Sequence, residues 1–323
     1  MPTAFVTGGS GFIGGVLIRR LVRDGWTVRA LARSERSAEK VRAAGAAPVM
    51  GDLFDVEAMH SGAAGCEYAF HAAATTVEWG PREEYVRGNV DGTRIALEAC
   101  RAAGVRRFVH VGTEAALLVG QPLVNVDETA PLRPDSKAHY PATKAIAEQA
   151  VLDANGDGFE TVVVRPRLVW GPDDETILPI AKRMVEEGRF AWIGGGGHLT
   201  STTHQDNAIE GLVLAAEKGK PGNAYFVTDG DPVVFRDFFT GLLATAGVET
   251  PKRNLPSGLA KALAATSETL WRRLRMGGTP PLTRIQVWLS ALECTIDISK
   301  ARRDLGYEPV KTVEDGMAEL RGA

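Results

Sequence analysis

Three side chains stand in an order that could move a proton: Thr113 at the end of RFVHVGT (107–113), then Tyr140 and Lys144, four positions apart in YPATK (140–144). On a helix, positions i and i+4 share one face, so the phenol and the ammonium would address the same ligand. Pro141 suits the first turn of such a helix, where its missing N–H is an orphan anyway. A fixed positive charge beside a phenol favours the phenolate, so the Tyr140 pKa is expected to fall from near 10 toward working pH. Tyr140 would then give a proton to a carbonyl oxygen or take one from an alcohol. Thr113 would hydrogen-bond the same oxygen and hold it in place. Taken alone, Y-x-x-x-K is a frequent chance spacing and most such pairs decorate a surface. What raises this one above chance is the frame in which it stands.

That frame is an alternation. Short β-branched runs recur at TAFVTG (3–8), TVRALA (27–32), APVMGD (47–52), EYAFHAA (67–73), RFVHVGT (107–113) and TVVVRP (161–166). Between them lie segments such as GFIGGVLIRRLVRDG and GTRIALEACRAAGV, apolar at three-and-four spacing and closed by glycine. Alternation of this kind predicts an α/β fold, a Rossmann-type doubly wound parallel sheet with helices on both faces. After Pro166 the rhythm breaks into a turn-rich stretch with GGGG at 194–197, then helices with scattered strands. The expected division is a dinucleotide-binding domain over 1–170, to which some later segments return, and a smaller, mostly helical substrate-binding portion over 171–323.

The first turn of that sheet reads VTGGSGFIGG, with Gly8, Gly11 and Gly14 spaced G-x-x-G-x-x-G between a strand and an apolar helix. Residues without a Cβ allow the tight turn and the close approach of backbone to a pyrophosphate, and the helix N-terminus offers it free N–H groups. Phe12 and Ile13, inside the loop, are expected beside the cofactor. No GK[ST] follows, which excludes a nucleoside-triphosphate P-loop. At the end of the second strand, where a carboxylate would bind the ribose 2′-hydroxyl of NAD, stand Ala32 and Arg33. A guanidinium suits a 2′-phosphate, so NADP is favoured, with Arg33 as first contact and Ser34 or Arg36 assisting. The competing reading keeps NAD, with Arg33 merely opening a solvated helix and Glu35 accepting from the ribose. Asp52 and Leu53 would lie against the adenine, unless Asp52 only caps the helix beginning near Asp55. Lys144 would also bridge to the nicotinamide ribose.

Composition narrows the partners. The 323 residues carry a formal net charge of −3, with no basic footprint for nucleic acid. No apolar run reaches the ~18 to 20 residues of a transmembrane segment. Cys66, Cys100 and Cys294 are odd in number and far apart, which reads as reduced core thiols in a cytoplasmic protein. The N-terminus enters a strand directly, unlike a signal peptide. The six histidines do not cluster, so no metal is expected.

The ordered segments TGGSGFIG (7–14), GDL (51–53), HAAA (71–74), NVDGT (89–93), YPATK (140–144) and RPRLVWGP (165–172) resemble the extended short-chain dehydrogenase/reductase family, the NAD-dependent epimerase/dehydratase superfamily. HQDNAIEGLVLA (204–215), NAYFVTDGDPVVFRDFF (223–239), PPLTR (280–284) and DISKARRDLGYEP (297–309) resemble its 3β-hydroxysteroid dehydrogenase-like branch. That branch acts on hydrophobic alcohols and ketones, including sterols and long-chain β-keto acids. The resemblance implies Thr113, Tyr140 and Lys144 as catalytic residues, Asn89 as a supporting polar group, and Pro166 and Leu168 against the nicotinamide. Ala72 and Ala73 are expected at the cofactor, and Thr75, Trp79, Tyr85 and Glu114 at the substrate, with packing as the alternative for the two aromatics. It also implies a homodimer closed by the NVDGT helix and the helix carrying Tyr140. Two departures stand out: Gly112–Thr113 replaces the usual pair of serines, and Arg33 replaces the acidic residue of many steroid-acting members.

The expected activity is therefore an NAD(P)-dependent oxidoreductase that interconverts a secondary alcohol and a ketone on a small hydrophobic substrate. One alternative is a nucleotide-sugar epimerase or dehydratase, against which the second portion lacks a basic cluster for a diphosphate. A second is a non-catalytic NADP-sensing regulator, which could dispense with the Tyr and Lys pair. His71 and His110 are read as core, and Asp206 or Asn207 as a helix cap. GGGGH (194–198) is read as a rim of the site or a plain turn. The amphipathic stretch 255–276 is open to four readings, of which packing on the core is the commonest and a lid, a membrane contact or a dimer contact are the others.

Overall fold

The β-branched runs become strands because both faces of each can be covered by helices. In this computed structural model, which describes residues 1–77, 79–156 and 158–322, they are β1 (Thr3–Thr7), β2 (Thr27–Ala32), β3 (Ala47–Met50), β4 (Tyr68–His71) and β5 (Arg107–Val111). Helices α1 (Phe12–Arg23), α2 (Glu35–Ala43) and α3 (Val56–Ala63) connect the first four. A short α4 (Arg82–Tyr85) passes through a π-helical turn (Val86–Asp91) into α5 (Gly92–Ala102), which leads to β5. Then come β6 (Leu123–Val126), α6 (His139–Asp153) and β7 (Glu160–Pro166).

The remainder holds short strands β8 (Val169–Trp170), β9 (Trp192–Ile193), β10 (Leu199–Thr200), β11 (Thr203–His204), β12 (Asn223–Val227), β13 (Val233–Val234), β14 (Asn254–Leu255) and β15 (Cys294–Ile296). Its helices are α7 (Ile177–Glu186), α8 (Gln205–Lys218), α9 (Phe235–Thr245), α10 (Ser257–Arg273), α11 (Arg284–Ala291), α12 (Ser299–Leu305) and α13 (Val313–Gly322).

Seven parallel strands form the central sheet in the order β12-β7-β5-β4-β1-β2-β3. Winding starts at β1, runs out to β3 and resumes at β4, so the direction reverses between β1 and β4; ligands of such sheets bind at that crevice. Alternation sorts the core. Ala4 and Val6 pack with Leu17 and Ile18 of α1 and Leu212 of α8, while Phe5 packs with Met59, Ala96 and Phe108 on the other face. Both α8 and β12 lie beyond residue 170 and return to this sheet.

β8 begins three residues past the end of β7, and the second portion builds a sheet of order β13-β10-β15-β6, to which the first portion lends β6, and the pairs β11-β8 and β14-β9. An aromatic core of Trp170, Trp192, Phe235, Phe238 and Phe239 holds it together. Two capping expectations are corrected. Asp55 caps α3, accepting from the Ala58 amide at 3.0 Å, while Asp52 accepts from Phe54, because Asp52 stands three residues outside the helix. For α8 the cap is His204, whose Nδ1 accepts from the Asp206 amide at 3.2 Å. Asp206 and Asn207 are already inside the first turn, and Asn207 instead accepts from the amides of Val310 and Lys311.

Candidate active site

The glycine loop is shaped for something that needs backbone at close range. Gly8 has φ +74°, and a Cβ there would meet the Ala73 amide at 2.6 Å, so the loop and the end of β4 pass in contact. A Cβ on Gly14 would collide with the Gly8 carbonyl. Gly11 is the N-cap of α1, with no side chain bonded to the helix end and no acid in its first turn. The first amides of α1 are thus left to an external anion, and these residues fit a dinucleotide pyrophosphate. Phe12 and Ile13 are half-buried against the core. The Ala72 amide donates to the Thr7 carbonyl at 3.1 Å.

At the far end of β2, Arg33 is exposed and has no ion-pair partner among the described residues. Ser34 caps α2 through the Ser37 amide at 3.3 Å. Glu35 pairs with Arg42 at 2.6 Å. Asp52 is exposed, and Leu53 is packed on α5 where Gly92 leaves room for it.

The groups expected to react sit where β5 ends. A Cβ at Gly112 would stand 2.8 Å from the Val163 side chain and 3.2 Å from Glu148 Oε2, which gives a steric reason for glycine in place of serine. Thr113 accepts from the Ala115 amide at 3.2 Å and donates its hydroxyl to Glu114 Oε2 at 2.9 Å. Tyr140 lies in the first turn of α6, Lys144 one turn on and Glu148 one turn further. The Lys144 ammonium donates to the Val111 carbonyl at 2.8 Å and lies 3.3 Å from His110 Nε2. Asn89, in the π-helical turn, bonds both backbone groups of Thr75 at 2.7 and 3.2 Å and the Thr143 hydroxyl at 3.1 Å. It therefore ties the loop after β4 to the helix that carries Tyr140.

Electrostatics at this centre run against the sequence expectation for the phenol. Burial and then the Glu114 charge push the Tyr140 pKa well above its ordinary value, with the Thr113 hydroxyl pulling the other way. The ammonium that was to lower it is engaged with Val111 and His110 instead. Burial brings Lys144 itself down to about 8, against the opposing pull of Glu148. His71 is held neutral, at about 3, by burial and by Lys144, and shares protons with Thr7 at 2.7 Å and Thr93 at 3.1 Å. The His110 ring stacks on it at 5.4 Å. His71 is core support as expected; His110 is more, since it touches Lys144.

Two features were not legible as contacts. Glu114 and Arg167 form a buried ion pair at 2.6 Å, their side chains 4% and 1% exposed, and Arg167 also donates to Thr200 Oγ1 at 3.0 Å. A second buried pair joins Glu148 to Arg165, 2.7 Å from Nε to Oε1. In both cases charge inside an apolar stretch, Glu114 in VGTEAALL or Arg165 and Arg167 in VVVRPRLVW, was the available signal.

Around the mouth, Arg272 of α10 stacks 5.0 Å above the Trp79 ring. Tyr85 is buried, donates to the Val77 carbonyl at 2.7 Å and packs on His139. Pro166 closes β7, and Leu168 just beyond it has φ +42°, a left-handed strain of ~1 kcal/mol or more that tends to mark functional positions. GGGGH is a turn between β9 and β10, with Gly194, Gly195 and Gly196 left-handed. His204, Asp206 and Glu319 bring ligand-type atoms within 4.8 Å of one another, a proximity that linear spacing hid. The Lys311 ammonium lies 3.0 Å from Glu319 and 3.7 Å from Asp206 there.

Comparison with known proteins points the same way as this geometry. Residues 5–257 match the 3-beta hydroxysteroid dehydrogenase/isomerase family. A 4-hydroxy-2-methyl-3-oxo-4-farnesyl-3,4-dihydroquinoline-1-oxide ketoreductase of Stigmatella aurantiaca is 49% identical over 99% of this chain and 96% of its own. A 2-alkyl-3-oxoalkanoate reductase of Stenotrophomonas maltophilia is 37% identical over 98% of each. In fold, the chain is similar to UDP-glucuronic acid 4-epimerase from Bacillus cereus, solved in complex with NAD, at a TM-score of 0.74 and 20% identity over 99% of both chains.

Proposed function

Because the chain belongs to the 3-beta hydroxysteroid dehydrogenase/isomerase family, we propose that it reduces a ketone flanked by a carbon that bears a long alkyl or prenyl chain. It is an oxidoreductase of the CH–OH/ketone type that uses a nicotinamide dinucleotide, on this proposal NADPH. Both named relatives act on a 3-oxo group next to a carbon carrying a hydrocarbon chain.

The observation that carries the reading is the placement of the Tyr140 phenol, with Lys144 one turn on along α6, beside the Thr113 hydroxyl at the end of β5. When bound, the dinucleotide supplies the hydride for the carbonyl carbon. Gly8, Gly11, Gly14 and the α1 N-terminus would hold its pyrophosphate, with Phe12, Ile13, Ala72 and Ala73 alongside and Asp52 and Leu53 toward the adenine. Lys144 would take the ribose hydroxyls, and Pro166 and Leu168 the nicotinamide end. Tyr140 donates the proton to the carbonyl oxygen, so that ketone, hydride and proton become the alcohol. Thr113 orients that oxygen, Asn89 fixes α6 through Thr143, and Thr75, Trp79, Tyr85 and Glu114 border the substrate. Arg33, free of any carboxylate among the described residues, supports NADP, as does the engagement of Glu35 by Arg42.

Residues 1–170, apart from β6, make up the cofactor-binding domain with α8 and β12, and the rest of 171–323 the substrate portion, whose sheet β6 joins. A homodimer through α5 and α6 and a cytoplasmic location, which suits three free, buried thiols, complete the proposal. The epimerase alternative is not favoured, since the relatives reported at 49% and 37% identity are reductases.

The test is NADPH oxidation with a panel of 2-alkyl-3-keto acids, prenylated cyclic ketones and steroid ketones. Tyr140→Phe is expected to lower kcat by ~10²- to 10⁴-fold with NADPH affinity unchanged. Full turnover by that variant on any accepted ketone would overturn the assignment.

A further inference from the structure

Lys144 is buried on α6, and among the described residues no carboxylate lies within ion-pair distance of its ammonium. Of its three donors, one goes to the Val111 carbonyl at 2.8 Å, and His110 Nε2 lies at 3.3 Å; both are neutral acceptors. Neutral acceptors offset only part of what it costs to bury a charge. The second buried ion pair, Glu148 with Arg165, is built to offset more of it.

Glu148 stands one turn beyond Lys144 on α6, its side chain 0% exposed, and it meets Arg165 of β7 through one oxygen alone. Arg165 Nε, at 2.7 Å, and Nη2, at 2.5 Å, both donate to Oε1. Oε2 is buried and has no hydrogen-bond partner among the described residues. It faces β5: a Cβ on Gly112 would stand 3.2 Å from it, and Gly112 directly follows Val111, whose carbonyl holds Lys144. The Arg165 guanidinium lies the other way, 5.1 Å from the Phe226 ring of β12, which in the strand order β12-β7-β5 is away from β5. The pair therefore has a direction, its negative end toward Lys144 and its positive end away. At close range such a pair acts on a third charge mainly through its nearer member.

We propose that Glu148 is a positioning residue that keeps Lys144 as the ammonium inside the apolar site. The inference rests on the reading above, in which Lys144 takes the ribose hydroxyls, and adds what holds that donor charged. The other titratable groups facing Lys144 do not supply a negative charge. His110 of β5, and His71 behind it on β4, are held neutral by burial. Tyr140 on the same helix has its pKa raised by burial, and Glu114 in the turn after β5 is bound to Arg167. Burial brings Lys144 down to about 8, and the Glu148 charge is what opposes that fall.

The test reads Lys144 through stability, with neither substrate nor cofactor present. Urea denaturation against pH compares each protein with its own Lys144→Met form. In the parent the penalty of the buried ammonium begins to lift at about pH 8, the folded value, and is gone by the unfolded 10.5. In Glu148→Gln that onset should fall by about one pH unit, the low end of what a nearby opposite charge does. Because Glu148→Gln also leaves Arg165 unpaired, the deciding protein is Glu148→Gln with Arg165→Met, which removes both charges of the pair. There the thermal midpoint should recover while the onset stays about one unit low. An onset back at the parent's pH in the double variant would overturn the proposal, since the unpaired guanidinium would then have moved it. An unmoved onset in Glu148→Gln would overturn it as well. NADPH titration over the same range keeps the cofactor reading separate: Kd should rise about tenfold as the ammonium is lost, one unit earlier in the double variant. A flat NADPH profile in the parent beside a shifted stability onset would take Lys144 away from the ribose and still support Glu148 as the group that holds its charge.

Discussion

Glu114→Gln changes one charge and almost no shape, and it separates two roles that the buried carboxylate performs. Oε1 faces the Arg167 guanidinium at 2.6 Å and Oε2 accepts the Thr113 hydroxyl at 2.9 Å, with neither partner of the ion pair more than 4% exposed. An amide keeps an acceptor but leaves the guanidinium buried without a counter-charge, which costs about 3–5 kcal/mol. At about 2 °C per kcal/mol for a chain of this length, the thermal midpoint should drop about 6–10 °C. Glu114→Gln combined with Arg167→Met buries no net charge and should recover most of that loss. Catalysis reports the second role. The Glu114 charge helps to hold the Tyr140 pKa up, so both variants should move the alkaline limb of the kcat–pH profile for ketone reduction to lower pH. Stability is then rescued in the double variant while the limb stays shifted, a split that a purely structural carboxylate would not produce. An unchanged midpoint together with an unmoved limb in Glu114→Gln would refute the buried charge and its action on the phenol at once.

Arg33→Ala should raise the KM for NADPH at least tenfold and leave NADH nearly unaffected, as expected for one lost charge-assisted contact of about 1.5–3 kcal/mol; an equal effect on both cofactors would remove Arg33 from the 2′-phosphate. Gly14→Ala puts a methyl into the Gly8 carbonyl and should abolish cofactor binding, read by quenching of intrinsic fluorescence, even where the chain still folds. Lys144→Met tests the buried amine through pH: with a folded pKa of about 8 against an unfolded 10.5, the parent carries the full penalty of a buried ammonium below pH 8 and loses it as pH rises toward 10.5. The stability of the variant relative to the parent should therefore be greatest below pH 8 and decline by about 3 kcal/mol across that window, measured by urea denaturation.

The order of Thr113, Tyr140 and Lys144 along the chain was legible because it is local. Tyr140, Pro141 and Lys144 occupy one turn and a half of a single helix, Thr113 follows a β-branched run, and the glycines sit where a strand must turn into a helix. What stayed hidden depends on pairs far apart in sequence. Glu114 and Arg167 meet because β5 and β7 are neighbours in the sheet, an adjacency that needs the strand order. His110 was read as core because burial can be inferred from FVHVG but direction needs parity: it shares the face of Phe108, the face that α6 covers, and so lands on Lys144. The caps of α3 and α8 were missed by two or three positions, since a cap is set by where the backbone turns extended rather than by the nearest acid.

The reversed pKa of Tyr140 has a consequence for direction. Oxidation of an alcohol needs the phenolate, and a site built for it would place its positive charge at the phenol and keep carboxylates away. Here a carboxylate is next in sequence to Thr113 and raises the phenol, while the ammonium one turn along α6 is turned to the Val111 carbonyl and to His110. On the proposed reading, that arrangement keeps the Tyr140 phenol protonated, the form that ketone reduction requires. The donor's strength is then set by both halves of the molecule, since the carboxylate is fixed by Arg167 after β7 and, through it, by Thr200 on β10 of the second sheet. A substitution at Thr200, remote from the phenol, should for this reason move the same alkaline limb as Glu114→Gln, and in the same direction wherever it loosens Arg167 enough to admit water to the carboxylate.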